Sequence, residues 1–194
     1  MNKRITPPSD FNFNLFNVDE LADYFSNKTY PEITETLAVI DTHIKTARKV
    51  DCKIHPEVKL INKVFRELKQ ALEKGMLKEE RFFLPVVKKI GQAQKKRDYD
   101  LIDDILLIDG TLDELMAEHR RIKQLLAQIN LLCATNPLSV NSSPSLKSFY
   151  SEIVKLEEQI QKHFFVEDEI FISKLGKIAI FLEESNLVTL DNVS

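Results

Sequence analysis

The chain has 194 residues, of which 43% are hydrophobic and 29% are charged, a composition typical of a globular protein. Its net charge of -3 supplies no excess of cations to neutralise phosphates, so we expect neither nucleic acid nor a membrane surface as a partner. Four glycines and seven prolines are too few for the many tight turns of a sheet protein, and we therefore expect long helices.

The first 30 residues contain no apolar signal segment, and no later apolar run is long enough to cross a bilayer,. We therefore expect a cytoplasmic protein. Cys52 and Cys133 stand alone, without the spacing of a zinc site or a disulfide framework, and we expect both to be free thiols.

Residues 1 to 16, with Pro7 and Pro8, are predicted to form an irregular arm. Asn17 and Glu20 have the spacing of a capping box for a short helix near residues 18 to 28. A longer helix is predicted from Pro31 to about Val50. The next helix opens after the His55-Pro56 pair and is ended or kinked by Pro85,.

Residues 91 to 110 are predicted to form a connector that holds one short helix. Thr111 and Glu114 form a second capping pattern, which predicts the start of a third long helix. A loop follows, and Ser143-Pro144 opens the fourth,. We therefore predict an all-α domain over residues 17 to 176, an up-down-up-down four-helix bundle with short extra helices at both ends, and a short helix and tail over residues 177 to 194.

Several polar residues fall on the apolar stripes of these helices when the stripes are extended in alternating steps of three and four. His163 and Glu167 continue the stripe of the fourth helix, and His119 fills the one gap in the third. Glu79 and Gly75 continue the stripe of the second helix, and Tyr30 that of the first. The rise of a helix places these positions roughly one to two turns from one end of the bundle.

Buried polar groups without partners cost about 1 to 3 kcal/mol each, and ionised groups cost more. Imidazoles and carboxylates together form a ligand set for iron, manganese or zinc, so a bound metal would compensate this cost. Direct hydrogen bonds between the histidines and glutamates are the alternative.

The segments GMLKEERFFLP (75 to 85), AEHRRI (117 to 122) and HFFVEDEIFI (163 to 172) resemble those of the hemerythrin-like (HHE) di-iron proteins of the repair-of-iron-centres group. The resemblance covers residues from about Glu20 to Leu175 and includes ELADYF before Tyr30 and HPEVKL at 55 to 60. It implies a four-helix bundle that binds non-haem iron and acts in the recovery of iron-sulfur clusters from nitric oxide and oxidative damage.

The resemblance also implies the site residues. Glu79, His119, His163 and Glu167 match family ligands, and the two glutamates match carboxylates that bridge two irons. Tyr30 and Gly75 stand where the family has terminal histidine ligands, and a further family histidine aligns with Asp51. We therefore favour one iron per chain over a di-iron centre, with Tyr30 as a further candidate ligand and manganese or zinc as alternatives to iron.

These observations give a metal-binding protein as the first functional hypothesis, with oxygen or nitric oxide as a small diatomic ligand. The alternative is a metal-poor bundle that acts as an interaction or regulatory protein with a protein partner. A third hypothesis is a structural zinc or manganese site. The sequence has no nucleophile triad, phosphate-binding loop or nucleotide fingerprint, which argues against ordinary hydrolase or transferase chemistry and favours a protein that is not an enzyme.

Overall fold

The computed structural model describes residues 12 to 96, 102 to 178, 180 and 181. Within these ranges the secondary structure is helical and contains no strand, so the prediction of an all-α fold with four long helices is confirmed. None of the described helices combines the length and the apolar character needed to cross a membrane. The α-helices are α1 (Val18–Tyr24), α2 (Tyr30–Val50), α3 (Val58–Lys78), α4 (Leu84–Lys96), α5 (Ile102–Thr135) and α6 (Pro144–Phe165).

Three segments with the wider π-helical turn accompany these helices. The first, Phe25–Thr29, joins α1 to α2; the second, Glu79–Phe83, joins α3 to α4; and the third, Val166–Phe171, continues α6. None of them was predicted from the sequence. A π-helical turn bonds each N–H to the carbonyl five residues earlier, and such turns occur frequently at functional sites.

The N-terminal capping prediction agrees with the structure, because the Asn17 N–H donates to the Glu20 carboxylate at 2.8 Å. The predicted irregular arm contains a 3-10 turn at Phe13–Leu15, and the Phe13 ring is buried. Residues 1 to 11 of that arm lie outside the described ranges, as do most of residues 177 to 194.

Pro85 was predicted to end or kink its helix. It does not end the helix, because helical structure continues through Pro85 to Lys96. It is the second residue of α4, which begins directly after the π-helical segment Glu79–Phe83. Proline has no N–H, and in a regular α-helix its ring collides with the carbonyl four residues earlier. The π-helical turn widens the backbone at that point, and the Leu84 N–H bonds to the Glu79 carbonyl.

Two further boundaries predicted from the sequence are wrong. The segment 91 to 110 is mainly helical, since α4 continues to Lys96 and α5 begins at Ile102. Thr111 and Glu114 therefore lie inside α5 and do not cap it. The sequence LIDDILLID in this region repeats apolar residues at helical spacing, and this periodicity outweighs the local capping pattern.

The described residues form two compact units. The first unit comprises Met1–Thr29, Lys78–Leu115 and Gln161–Ser194. Within it, α1 packs against α4 in antiparallel fashion, because Asp19 pairs with Lys95 at 2.6 Å and Asp23 pairs with Lys88 at 2.7 Å. Gly91 allows the close approach of these two helices: a Cβ atom there would lie 3.0 Å from Val18 Cγ2 and 3.1 Å from Asp19 Cβ.

The second unit comprises Tyr30–Leu77 and Met116–Ile160. Lys69 of α3 lies 3.6 Å from Asp41 of α2, and Asn130 of α5 donates to Glu157 of α6 at 2.8 Å. Asp41 and Lys69 lie about equally far from the loop that joins α2 to α3, so these two helices are antiparallel. α5 and α6 are antiparallel as well, because Asn130 contacts Glu157 whereas the later Asn136 carbonyl accepts from the earlier Tyr150 hydroxyl at 2.8 Å. Phe65 and Phe149 pack edge to face in the core, with ring centroids 6.2 Å apart.

In the second unit, a polar network joins the loop between α2 and α3 to the loop between α5 and α6. The Asp51 carboxylate accepts from the Ser143 N–H at 2.9 Å and from the Ser143 hydroxyl at 2.6 Å. His55 Nε2 lies 3.0 Å from Ser142 Oγ and 3.2 Å from Ser139 Oγ, and its Nδ1 lies 3.0 Å from the Glu57 carboxylate. This network fixes the start of α6 to the loop that follows α2.

We expect the substitution Ser143→Ala to lower the free energy of unfolding by about 1 to 2 kcal/mol. The Ser143 hydroxyl accepts from the Leu146 N–H at 3.1 Å and so caps α6, and it also donates to the buried Asp51 carboxylate. Ser151→Ala, at an exposed position inside α6, is the matched control and should change stability by less than about 0.5 kcal/mol. Urea denaturation measures both, and equal effects of the two substitutions would contradict this role of Ser143.

Candidate metal centre

One imidazole and two carboxylates meet in the first unit. His163 Nε2 lies 3.3 Å from the Glu167 carboxylate and 3.8 Å from the Glu79 carboxylate. His163 and Glu167 are one turn apart at the end of α6 and the beginning of its π-helical continuation, so their side chains lie on one helical face. All three residues are buried, and Glu167 is completely inaccessible to solvent.

His119 lies in α5 and is buried, with 2% of its surface exposed. It belongs to the second unit, whereas Glu79, His163 and Glu167 belong to the first. Within the first unit, His163, Glu79 and Glu167 form a three-residue group that could hold a metal ion. The identification of Glu79, His119, His163 and Glu167 as metal ligands stays a prediction.

Both glutamates belong to π-helical segments. The Glu79 carbonyl accepts from the Leu84 N–H, and the Glu167 carbonyl accepts from the Ile172 N–H, each five residues later. A π-helical turn inserts one residue into the helix and shifts the direction in which the following side chains point. The two carboxylates are thus placed by the irregular part of each helix.

Aromatic rings pack beside the carboxylates and the imidazole, and each π-helical segment contributes one of them. The Phe25 ring meets the His163 ring edge to face, with centroids 4.9 Å apart. Phe171 packs against Phe25 at 5.4 Å and against Phe83 at 5.7 Å. All three phenylalanines are buried. They exclude water from this part of the first unit, which strengthens any electrostatic interaction there.

The two positions that lack the family's histidines are also buried. Tyr30 is the first residue of α2 and is 3% exposed, and Gly75 lies within α3. A glycine inside a helix costs about 1 kcal/mol relative to alanine. Asp51, which aligns with a third family histidine, instead accepts hydrogen bonds from the N–H and the hydroxyl of Ser143.

The distances among these side chains suit a single ion. Ligand atoms about 2.1 Å from one metal ion lie at most about 4.2 Å from one another. The two distances from His163 Nε2 to the carboxylates, 3.3 and 3.8 Å, fall below that limit. A mixed imidazole and carboxylate set suits iron, manganese or zinc, and a bound cation would offset the cost of burying two carboxylates.

Residues 32 to 175 match the family described as the hemerythrin HHE cation binding domain. The chain belongs to this family. The match spans α2 to α6 and includes Glu79, His119, His163 and Glu167. The resemblance inferred from the sequence motifs is therefore confirmed, and membership of a cation binding family supports metal binding by this chain.

Two curated relatives are iron-sulfur cluster repair proteins, both called ScdA, from two strains of Staphylococcus epidermidis, ATCC 35984 and ATCC 12228. Each is 20% identical to this chain over 168 residues, which cover 87% of this chain and 71% of the relative. This likeness agrees with a divergent member of the repair-of-iron-centres group.

The π-helical segments are the part of this region that the sequence analysis missed. A signal for one of them was present, because Pro85 lies six residues after Glu79 in a run that otherwise keeps helical periodicity. A helix that continues through a proline needs a local change of its hydrogen bonds, and a π-helical turn supplies one.

The free thiols lie outside this group of side chains. Burial raises the pKa of the Cys133 thiol to about 11, although its hydrogen bond with Tyr150 lowers that pKa in part. A thiol with this pKa is almost entirely protonated at neutral pH and is a weak nucleophile and metal ligand. Cys52 is half-buried.

We expect His163→Ala to reduce the iron content of the purified protein and to lower its melting temperature by about 5 °C or more. The reason is that a metal bound only to the folded state stabilises that state by mass action. His43→Ala, at a half-exposed position of α2, is the control and should change neither quantity. Elemental analysis and thermal melts with and without chelator measure the effect. If chelator changes the melting temperature of neither the unmodified protein nor the His43→Ala control, the expected stabilisation by bound metal is contradicted.

We expect alkylation of Cys133 by iodoacetamide to be slow at pH 8, where about one thousandth of a thiol with a pKa of about 11 is ionised,. The rate should rise about tenfold per pH unit up to pH 10. Peptide mass spectrometry of the labelled protein gives this rate, with Cys52 as the second thiol in the same sample. A rate that levels off below pH 9 would show that burial does not raise this pKa.

Proposed function

We propose that this protein binds non-haem iron through Glu79, His119, His163 and Glu167 and acts in the response to nitric oxide or oxidative damage. The observation that carries the proposal is the meeting of the His163 imidazole with two buried carboxylates in the first unit. Membership of the hemerythrin HHE cation binding family supports it.

The donor set is the first argument for iron. Two neutral imidazoles and two carboxylates supply nitrogen and oxygen ligands, which suit both ferrous and ferric ions. Iron held in this way would supply a redox-active centre with open coordination positions for oxygen or nitric oxide. Manganese and zinc accept similar ligands, so the choice among these metals rests on the family.

The surroundings of the donor set are the second argument. Phe25, Phe83 and Phe171 pack beside the site and keep water away from it. The Phe25 ring also limits the rotation of the His163 imidazole, and so holds Nε2 toward the two carboxylates. Ligands that are already oriented bind a metal without a further loss of side-chain freedom.

A role in iron-sulfur cluster repair is the finer part of the proposal. Its support is the likeness to the Staphylococcus epidermidis repair proteins, at 20% identity over most of this chain. In this role the protein would bind or release iron while a damaged cluster is rebuilt in a protein partner.

We propose one iron per chain. Tyr30 and Gly75 occupy the positions of two histidines that the family uses as terminal ligands, so a second iron would lack those imidazoles. The Tyr30 phenol is a further candidate ligand, because phenolate oxygen binds ferric iron strongly. Glycine at position 75 offers no ligand atom.

The test is an iron titration of protein purified without oxygen, followed by addition of nitric oxide. We expect about one tightly bound iron per chain and a new visible absorption band when nitric oxide is added. The His163→Ala variant should lose both, and the His43→Ala control should keep both. A ferric charge-transfer band that disappears in Tyr30→Phe would identify Tyr30 as a ligand.

The same samples test the repair role. Iron-loaded protein should restore the activity of an iron-sulfur enzyme damaged by nitric oxide, and His163→Ala should not. Two tightly bound irons per chain would overturn the proposed stoichiometry. Iron binding without restored enzyme activity would support the proposed metal site and exclude the repair role. The absence of stoichiometric metal would favour an interaction or regulatory protein.

A further inference from the structure

A groove of about 440 Å³ lies on the second unit between α2 and α3. Helical spacing brings its residues together, because Asp41, Lys45 and Arg48 follow one face of α2 at steps of four and three. A face of α3 supplies the rest. The volume falls in the range of small-molecule sites, which is about 300 to 1,000 Å³. The lining residues of α3 are Asn62, Arg66, Lys69, Gln70 and Glu73.

The groove is basic although the chain as a whole carries a net charge of -3. Four of its lining side chains are cationic and two are anionic. Both anionic residues form ion pairs with lysines of the groove. Asp41 lies 2.7 Å from Lys45 and 3.6 Å from Lys69, and Glu73 lies 3.8 Å from Lys69.

The two arginines of the groove have no such partner. Neither Arg48 nor Arg66 forms an ion pair with any residue in the described ranges. A guanidinium group has five donors in a rigid fork that matches the oxygens of a phosphate or carboxylate. Two unpaired guanidinium groups in one groove therefore favour an oxyanion.

Asn62 supplies an independent observation. Its side chain is more than nine-tenths buried and lines the groove, yet its amide forms no hydrogen bond with any residue that the structure describes. Neither amide atom of Asn62 is among the fully buried side-chain atoms without a hydrogen-bond partner in the described residues, so the amide reaches the solvent in the groove and is available to a ligand,. A ligand oxygen in the groove would accept from this amide.

We propose that this groove binds a small phosphate ester, whose phosphate contacts Arg48 and Arg66 and accepts a hydrogen bond from the Asn62 amide. The groove is larger than a phosphate group alone, so it has space for the organic part of the ligand. A phosphate dianion also suits two guanidinium groups better than a single carboxylate does. This site is separate from the residues of the proposed metal centre.

The test is isothermal titration calorimetry of the full chain with glycerol 3-phosphate, with glycerol and citrate titrated at the same ionic strength. We expect glycerol 3-phosphate to bind and glycerol not to bind. The double variant Arg48→Gln with Arg66→Gln should weaken binding by at least about tenfold. Lys59→Gln with Lys63→Gln removes the same charge from exposed positions of α3 outside the groove and should leave binding within about twofold.

Asn62→Leu separates a ligand contact from a structural role. Because the Asn62 amide has no partner to lose, we expect this variant to keep or raise the melting temperature while weakening glycerol 3-phosphate binding about fivefold. Equal weakening by the arginine and lysine pairs would show general charge attraction and overturn the proposal. Phosphate binding that none of these variants changes, or binding of citrate alone, would overturn it as well.

Discussion

The burial of two carboxylates beside an imidazole is the constraint on which this structure depends. Moving an ionised carboxylate out of water is expensive, and the cost is recovered only through a charge partner or several hydrogen bonds. Glu79 and Glu167 both approach His163 Nε2, and a single proton on that nitrogen can be shared only unequally between them. A divalent cation can interact with both carboxylates at once, which makes this arrangement better suited to a metal than to a hydrogen-bonded pair.

The helical irregularities lie where this constraint acts. Two of the π-helical segments begin at or next to a glutamate of the group, and the third ends immediately before Tyr30. Each segment also supplies one ring of the aromatic cluster formed by Phe25, Phe83 and Phe171. A π-helical turn is less stable than an α-helical turn and is kept where it positions functional side chains. The same local distortion thus directs the carboxylates and provides the apolar packing beside them.

The sequence predicted the inward-facing positions because they depend on periodicity. His119, His163, Glu79 and Glu167 continue apolar stripes, and all four are buried. The helix boundaries depend on competing local signals and were predicted less well. The predicted connector began at residue 91, but Gly91 lies inside α4 and allows the close approach of α1 and α4, a tertiary contact that no pattern of neighbouring residues encodes. Pro85 was predicted to end or kink its helix, because single-residue preferences assume regular α-helical hydrogen bonds.

The groove on the second unit was not predicted at all, for a related reason. Lys45, Arg48, Arg66 and Lys69 are typical solvated residues of two helical faces when each helix is considered alone. Their significance depends on which of them are already paired, and only the fold shows that Lys45 and Lys69 neutralise Asp41. Burial alone would raise the pKa of the Asp41 carboxyl, yet the two lysines hold it below its ordinary value.

Asp51 shows how a lost ligand position can acquire a structural use. The resemblance aligns this residue with a histidine of the family, and in this chain it is a buried carboxylate at the end of α2. It accepts from the N–H and the hydroxyl of Ser143, and so fixes the residue that caps α6. An imidazole cannot replace it there, because its single acceptor nitrogen cannot receive both hydrogen bonds. Restoring the histidine would therefore weaken the cap of α6, so at this position the divergence from the family is tied to the stability of the second unit.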